Sequence, residues 1–424
     1  MPFRSLSVVM LILLAACAPG TTGQQVTSES LATPAPTAMP ALPTAESTPD
    51  SGVTLTVWLP EPVAPANNQA AALVWAQQID GFQAAQPDVR VQTRLKRAEG
   101  VGGVMATLLS ASDVAPSALP DLTLIRRQDL GQVVQAGLAQ PFDGRLSRAV
   151  TGDLYTAALR LGQAGGELHA LSYALDIQHI AYEPPRASFA RFEDVLAEGR
   201  PLVLPLGRVN GISDVFLVQY LAAGGTVVNG SLGTLNVNAL RTVLQFYQQA
   251  LAAGVIDPGV LNYPTPQEYQ AGLVDGRIEA AVVTSGMYLD LLASGKDLET
   301  SPIPVSSDRV TTLVDGWMWV LTAKNADRQT AALAFLEWVF EADRQAAYTR
   351  AIAMLPSGRA AMGGWGSPAY AQFAGSLLAN AVLPLDDNEG SATARALQNA
   401  LVAVVSGERS ADEAVEDVVD QLEG

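Results

Sequence analysis

Apolar and polar residues begin to alternate at Val53: Val53, Leu55, Val57 and Leu59 are separated by Thr54, Thr56 and Trp58, the two-residue period of a strand. Prolines 60, 62 and 65 predict a rigid, non-helical loop after it. Asn67 is then placed to cap a helix whose apolar positions Ala71, Val74, Trp75, Ile79 and Phe82 fall at helical spacing. The stretch AAQPDVRVQTRL closes that helix and starts a second strand at Val89. A helix follows around Val104 to Ser110, and then the strand DLTLI, Asp121 to Ile125. Alternation of this kind predicts an α/β fold, a parallel sheet with helices on both faces. Further along, the unbroken apolar run Ala280 to Val283 reads as a strand buried on both sides. Ala332, Phe335, Leu336 and Val339 make one helical face that belongs in a core, and Ser410 with Glu413 forms a capping box ahead of the stripe Val415, Val418, Val419 and Leu422.

Ahead of Val53 the pattern is different. One positive charge, Arg4, precedes an apolar run from Val8 to Leu14 and the small residues Ala15 and Ala16. That run is too short to span a bilayer, which takes about 20 residues, and small residues before a cleavage point are those of a secretory signal. Cys17 follows, the only cysteine in the chain, so neither a disulfide framework nor a Cys-based zinc site is available. Leu14-Ala15-Ala16-Cys17 resembles a bacterial lipobox, which implies a signal peptide over residues 1–16 and a Cys17 that is diacylated on sulfur and becomes the mature N-terminus. The alternative is a plain secretory signal with an incidental cysteine. Lipid chains on Cys17 would hold the protein to the outer face of the cell membrane. Residues 17–52 then hold the acyl site and a Pro, Thr, Ser and Ala stalk with almost no large apolar side chain, a composition that does not fold. A flexible chain of that length spans roughly 30–35 Å.

Composition narrows the function of the remaining chain. From residue 53 it is a globular body of about 370 residues, large enough for two lobes. With 25 basic against 42 acidic residues the net charge is −17, which argues against nucleic acid or an anionic surface as partner. His169 and His179 are the only histidines, with no HExxH or CxxC spacing, so no metal and no cofactor is expected. VTSGM at Val283 to Met287 departs from G-x-S-x-G, and no histidine follows it as a Ser, Asp, His order requires. Paired carboxylates for glycoside hydrolysis are the enzyme reading that the residues leave open. The expectation is a protein that is not an enzyme.

Several segments carry a family resemblance. The Trp-ended first strand, the helix closing on AQPDVRV, the LLSAS helix end and PDLTLI come in the order found in the family 1 extracellular solute-binding proteins, the maltose-binding-protein-like capture subunits of ATP-driven (ABC) importers. ELHALSYALDIQHIAYE (Glu167 to Glu183) is similar to that family's first crossing between lobes, and GLVDGRIEAAVVTSGMY (Gly272 to Tyr288) to its strand followed by a ligand-facing turn. VDGWMWVLTAKNADRQTAALAFLEWV (Val314 to Val339) resembles the return crossing and the next helix, and MLPSGRAAM the segment beyond. The resemblance covers residues 53–424. It departs where YEPPRASFARFEDVLAEG is shorter than usual, where Glu183 replaces a common Asn, and where LDDNEGSATARAL lacks an aromatic pair that grips maltodextrins.

The resemblance implies two doubly wound lobes joined by hinge crossings, the type II periplasmic-binding-protein fold. Lobe one would be about 53–172 plus 317–364 and lobe two about 173–316 plus 365–424. It further implies a monomer that closes on a small ligand between the lobes, a carbohydrate first among polar solutes, and delivers it to permease subunits. A sensor lipoprotein that presents ligand without transport is the alternative. Candidate ligand contacts are Trp58 at the end of the first strand, Arg126 and Gln128 after DLTLI, Asp176 in the first crossing, and Tyr288 as a stacking aromatic. Trp317 in the return crossing and Trp365, an exposed loop aromatic by its neighbours, complete the set.

Overall fold

The computed structural model describes residues 52–423 apart from 187, 209 and 387. The signal segment, Cys17 and the stalk lie outside the described residues. Among the described residues no helix is long and apolar enough to cross a membrane.

The opening alternation forms β1 (Val53–Pro60), and its inward positions Leu55, Val57 and Leu59 are fully buried. The prolines after it do not give an extended loop. They start two 3-10 turns, Glu61–Val63 and Pro65–Asn67, because the ring fixes φ near the helical value and a first-turn position needs no N–H. That turn shifts the cap of the next helix (α1, Gln69–Ala85) from Asn67 to Asn68, whose side chain accepts from the Ala71 amide at 3.0 Å. β2 (Val89–Lys96), α2 (Val104–Val114) and β3 (Leu122–Arg126) follow as the pattern predicts, and β1 pairs parallel with both β2 and β3.

The sheet is mixed where parallel pairing alone was expected. Its further strands are β4 (Leu171–Tyr182), β5 (Ala280–Thr284), β6 (Glu299–Ser301), β7 (Val314–Leu321) and β8 (Leu355–Pro356), in the order β6-β4-β7-β3-β1-β2, with β5 and β8 also pairing β4. β7 is antiparallel to both β3 and β4. β4 holds the body together: its first half pairs with β7 and β8, and its second half with β5 and β6. Twelve residues at about 3.3 Å each reach roughly 40 Å, enough to run through two hydrophobic cores. Tyr173 lies in the first core and Ile180 in the second, and Asp176 between them is the only position of the strand that is not buried.

The first core is centred on Phe335, which is fully buried and meets Trp75, Phe82 and Trp319 edge-on at 5.9, 5.2 and 6.4 Å between ring centres. It also takes in Trp365 and the helix Pro368–Leu378, so the chain rejoins the second core only from Val382 on, and not at Trp365. The second core is built by the helices Asp214–Ala222, Val237–Ala252, Ala392–Val405 and Ala411–Glu423. The last of these starts at the expected capping box: the Ser410 amide donates to Glu413 Oε2 at 2.8 Å and the Glu413 amide to Ser410 Oγ at 3.3 Å.

Phe335→Ala leaves a cavity under three aromatic rings and should cost about 3–5 kcal/mol. Urea unfolding checks this, and a midpoint within error of the parent would show that the first core closes over the gap.

Candidate functional site

The site is built where β4 passes from one core to the other. Register places Asp315 of β7 directly opposite Asp176 of β4, so both carboxylates stand on one face of the sheet. Trp317, two residues on, shares that face and is paired with Arg126, the last residue of β3. Gly316 lies between them because β7 passes close over β4: a Cβ there would meet the Ala174 carbonyl oxygen at 2.2 Å. Arg126, Asp176 and Trp317 are thus brought together, far apart in sequence as they are. Asp315 completes the group, and the sequence marked it only as the neighbour of Trp317.

Two like charges facing each other across strands repel. Arg126 answers this by an ion pair with Asp315, its Nε donating to Oδ2 at 3.2 Å, and its guanidinium lies 5.6 Å from the Trp317 ring centre. Asp176 is held by the helix Ser285–Ala293, which follows β5 without a break: the Ser285 hydroxyl and the Gly286 amide, the latter at 3.2 Å, both donate to its Oδ1. Burial raises the Asp176 pKa above the usual carboxylate value, against the lowering effect of those donors and of Arg126.

This face floors two hollows. The smaller, about 320 Å³, is lined by Arg126, Asp176, Gly286, Asp290, Trp317 and Met354, among others. The larger, about 900 Å³, opens beside Asp315. One wall, resting on the first core, carries Arg127, Gln128, Arg160 and Gln163; the other, resting on the second, carries Leu221, Asn229, Arg309 and Asp386. Arg127 joins the two walls, donating to Asp386 Oδ1 at 2.8 Å and to Oδ2 at 3.0 Å from Nη2, while Nη1 donates to the Leu161 and Gln163 carbonyls. Arg127 and Asp386 were not singled out from the sequence. The doublet Arg126-Arg127 carried the only hint, since successive residues at a strand end must face different ways.

The remaining candidates lie elsewhere. Gln128 lines the large hollow. Tyr288 is buried with its ring against Tyr370 and His179 at 4.6 and 5.2 Å, and its hydroxyl donates to the Leu298 carbonyl at 3.2 Å, so both its face and its polar tip are engaged. It edges a third hollow of about 300 Å³ with Glu299 and Tyr370. His179 in that cluster is fully buried, and burial pushes its pKa down to about 4. Trp58 is buried in the first core with the Lys96 ammonium 3.9 Å from its ring centre. Trp365 is a correction: it is not an exposed loop aromatic but is 2% exposed. Gly366, at φ +59°, turns the chain so that the indole packs into the first core near Tyr370. Among the described residues no group of three or more His, Cys, Asp or Glu could hold a metal ion.

The family profile described as bacterial extracellular solute-binding protein matches residues 77–362. Among solved structures, the fold is similar to the cyclic alpha-maltosyl-1,6-maltose binding protein of Arthrobacter globiformis, at 18% identity over 87% of this chain and 98% of that chain, with a TM-score of 0.68. A cyclo/maltodextrin-binding protein complexed with maltotetraose is similar at 16% identity, over 89% and 98% of the two chains, with a TM-score of 0.65. The GacH receptor of Streptomyces glaucescens, solved unliganded and with acarbose, is similar at 18% identity, over 87% and 97%, with a TM-score of 0.60. These likenesses show a periplasmic-binding-protein-like α/β fold. No curated protein matches the sequence significantly.

If Arg126 is what lets Asp176 and Asp315 face each other, Arg126→Leu should destabilise the body by about 1–2 kcal/mol, less than a fully buried pair because both partners are partly exposed. Arg126→Leu with Asp315→Asn should then cost less than the sum of the two single changes, by denaturant unfolding. Simple additivity would show the pair to be uncoupled.

Proposed function

The chain belongs to the bacterial extracellular solute-binding proteins, and from that premise we propose that it captures a small polar solute, a carbohydrate first among them, in the hollows on the Asp176–Asp315 face. The family is one of binding proteins, and its members work outside the cytoplasm. The observation that carries the reading is the placing of arginine, aspartate and tryptophan on the one sheet face shared by two cores. Carboxylates accept hydroxyl hydrogens, guanidinium donates to hydroxyl oxygens, and an indole face packs on the CH side of a sugar ring. Strand ends between two lobes are where open α/β folds bind ligands. The site needs no reacting group, and the proposal includes none.

Delivery extends the same reading. A monomer tethered by diacylated Cys17 and the stalk over residues 17–52 would hold its ligand above the membrane, close about β4 and β7, and pass the ligand to the permease subunits of an ABC importer. The resemblance implies lobe boundaries near 172, 317 and 365; with Trp365 and the helix Pro368–Leu378 in the first core, the last of these would move to about 382–385. The solved relatives bind cyclic maltosyl-maltose, acarbose or maltotetraose, which supports a saccharide here.

A thermal-shift screen of the full-length protein against sugars, polyols, amino acids, short peptides and polyamines tests the capture. Saturation at 100 times the dissociation constant should stabilise the body by about 2.7 kcal/mol; a response to amino acids alone would replace the carbohydrate. Cys17→Ala should move the protein from the membrane fraction to the soluble one, and a variant that still sediments with membranes would remove the lipid anchor from the proposal.

A further inference from the structure

The large hollow carries a positive excess, in a chain whose net charge is −17. Three arginines and two aspartates line it. Both aspartates are already engaged, Asp315 by Arg126 and Asp386 by Arg127. That leaves Arg160 and Arg309. Arg160 ends the helix Thr156–Leu161 on the first wall, and Arg309 lies on the segment that leads into β7 on the second. Both are exposed, and neither guanidinium has an ion-pair or hydrogen-bond partner among the described residues.

Two cations without a partner among the described residues, set on the walls of one concavity, raise the local potential, since a low-dielectric cleft focuses the field. A neutral solute leaves that charge unanswered. An anion placed between the walls meets a guanidinium from each side, and the planar fork suits both carboxylate and phosphate. Hydroxyl groups have their own partners close by in the amides of Gln128, Gln163 and Asn229, which both donate and accept. A volume of about 900 Å³ is within the range of small-ligand sites.

Resting on the solute-binding function, we propose that the ligand is an acidic saccharide, a sugar bearing a carboxylate or phosphate. Its anionic group lies between Arg160 and Arg309, and its hydroxyls lie against the three amides. Arg160 lies on a helix of the first core, and Arg309 follows Ser307, whose hydroxyl donates to the Ala222 carbonyl at the end of a second-core helix, so the anion also draws the walls together, as the Arg127–Asp386 pair already does at one edge.

Isothermal titration of the full-length protein with digalacturonate, glucose 6-phosphate and neutral maltotriose tests this. The expected result is binding of one of the two anionic probes, with affinity falling as salt rises from about 50 to about 200 mM. Which of them binds identifies the anionic group. Arg160→Gln and Arg309→Gln should each weaken that binding at least tenfold and flatten its salt dependence. Arg90→Gln on β2, which removes the same charge at a distance, should not. Tight, salt-independent binding of maltotriose with no response to either acidic probe overturns the acidic ligand and leaves the solute-binding function standing. Equal affinity of the parent and both hollow variants for an acidic probe also overturns it. Binding of none of the three overturns it together with the carbohydrate reading.

Discussion

Asp176 and Asp315 face each other across two antiparallel strands, and Arg126 is the cation that makes the arrangement tolerable. The group depends on three strands keeping one register. Arg126 ends a parallel strand of the first core, Asp315 lies on the return strand, and Asp176 lies at the middle of the strand that enters the second core. A slip of one residue in any of them would turn a carboxylate or the Arg126 guanidinium to the other face of the sheet. The buried apolar neighbours on either side oppose such a slip, since Leu175 and Ile177 on β4 and Val314 and Met318 on β7 would have to leave their cores. Hydrophobic burial therefore sets the register, and the register sets the charges.

The same strand explains how two cores share one site. β4 is buried over eleven of its twelve positions, with Asp176 alone partly open, so water reaches the strand only where the cores part. From the second half, β5 leads directly into the helix whose first turn donates to Asp176. From the first half, β3 leads directly into the helix Arg127–Gln135, whose first residues line the large hollow. In both places a strand runs straight into a helix, which sets the helix's N-terminal turn and its backbone donors at the face shared by the two cores.

Much of the frame was legible because burial has a period. The alternation at Val53, the run at Ala280 and the capping box at Ser410 all became the elements they signalled. Two things escaped. The prolines after β1 were read as breakers when they are also good first-turn residues, and the cap moved one position in consequence. Aromatic exposure was misjudged at Trp365, because flanking glycines mark a turn but not the direction it takes. Arg126 was legible as a strand-end residue, and Asp176 and Trp317 through the resemblance to the crossings between lobes. Arg127, Asp386, Arg160 and Arg309 were not, since only the folded chain shows that a loop after Val382 and a short helix at 156 border one hollow.

The distribution of aromatic residues bears on how this site can recognise anything. The chain has six tryptophans. Trp58, Trp75, Trp319 and Trp365 are committed to the first core, and Trp338 packs at its margin under the Arg344 guanidinium. Trp317, also buried in the first core at 5% exposure, lines the smaller hollow beside Arg126. Tyr288, the other candidate for stacking, has its ring and hydroxyl engaged by the protein. The large hollow is lined by guanidinium and amide groups together with aliphatic side chains such as Leu221, Val227, Val382 and Leu385. Stacking on an aromatic face is tolerant of which sugar is stacked, whereas guanidinium and amide groups discriminate by charge and hydrogen-bond geometry. Were the large hollow to take the solute, its selectivity would fall to the charged and amide side chains rather than to stacking.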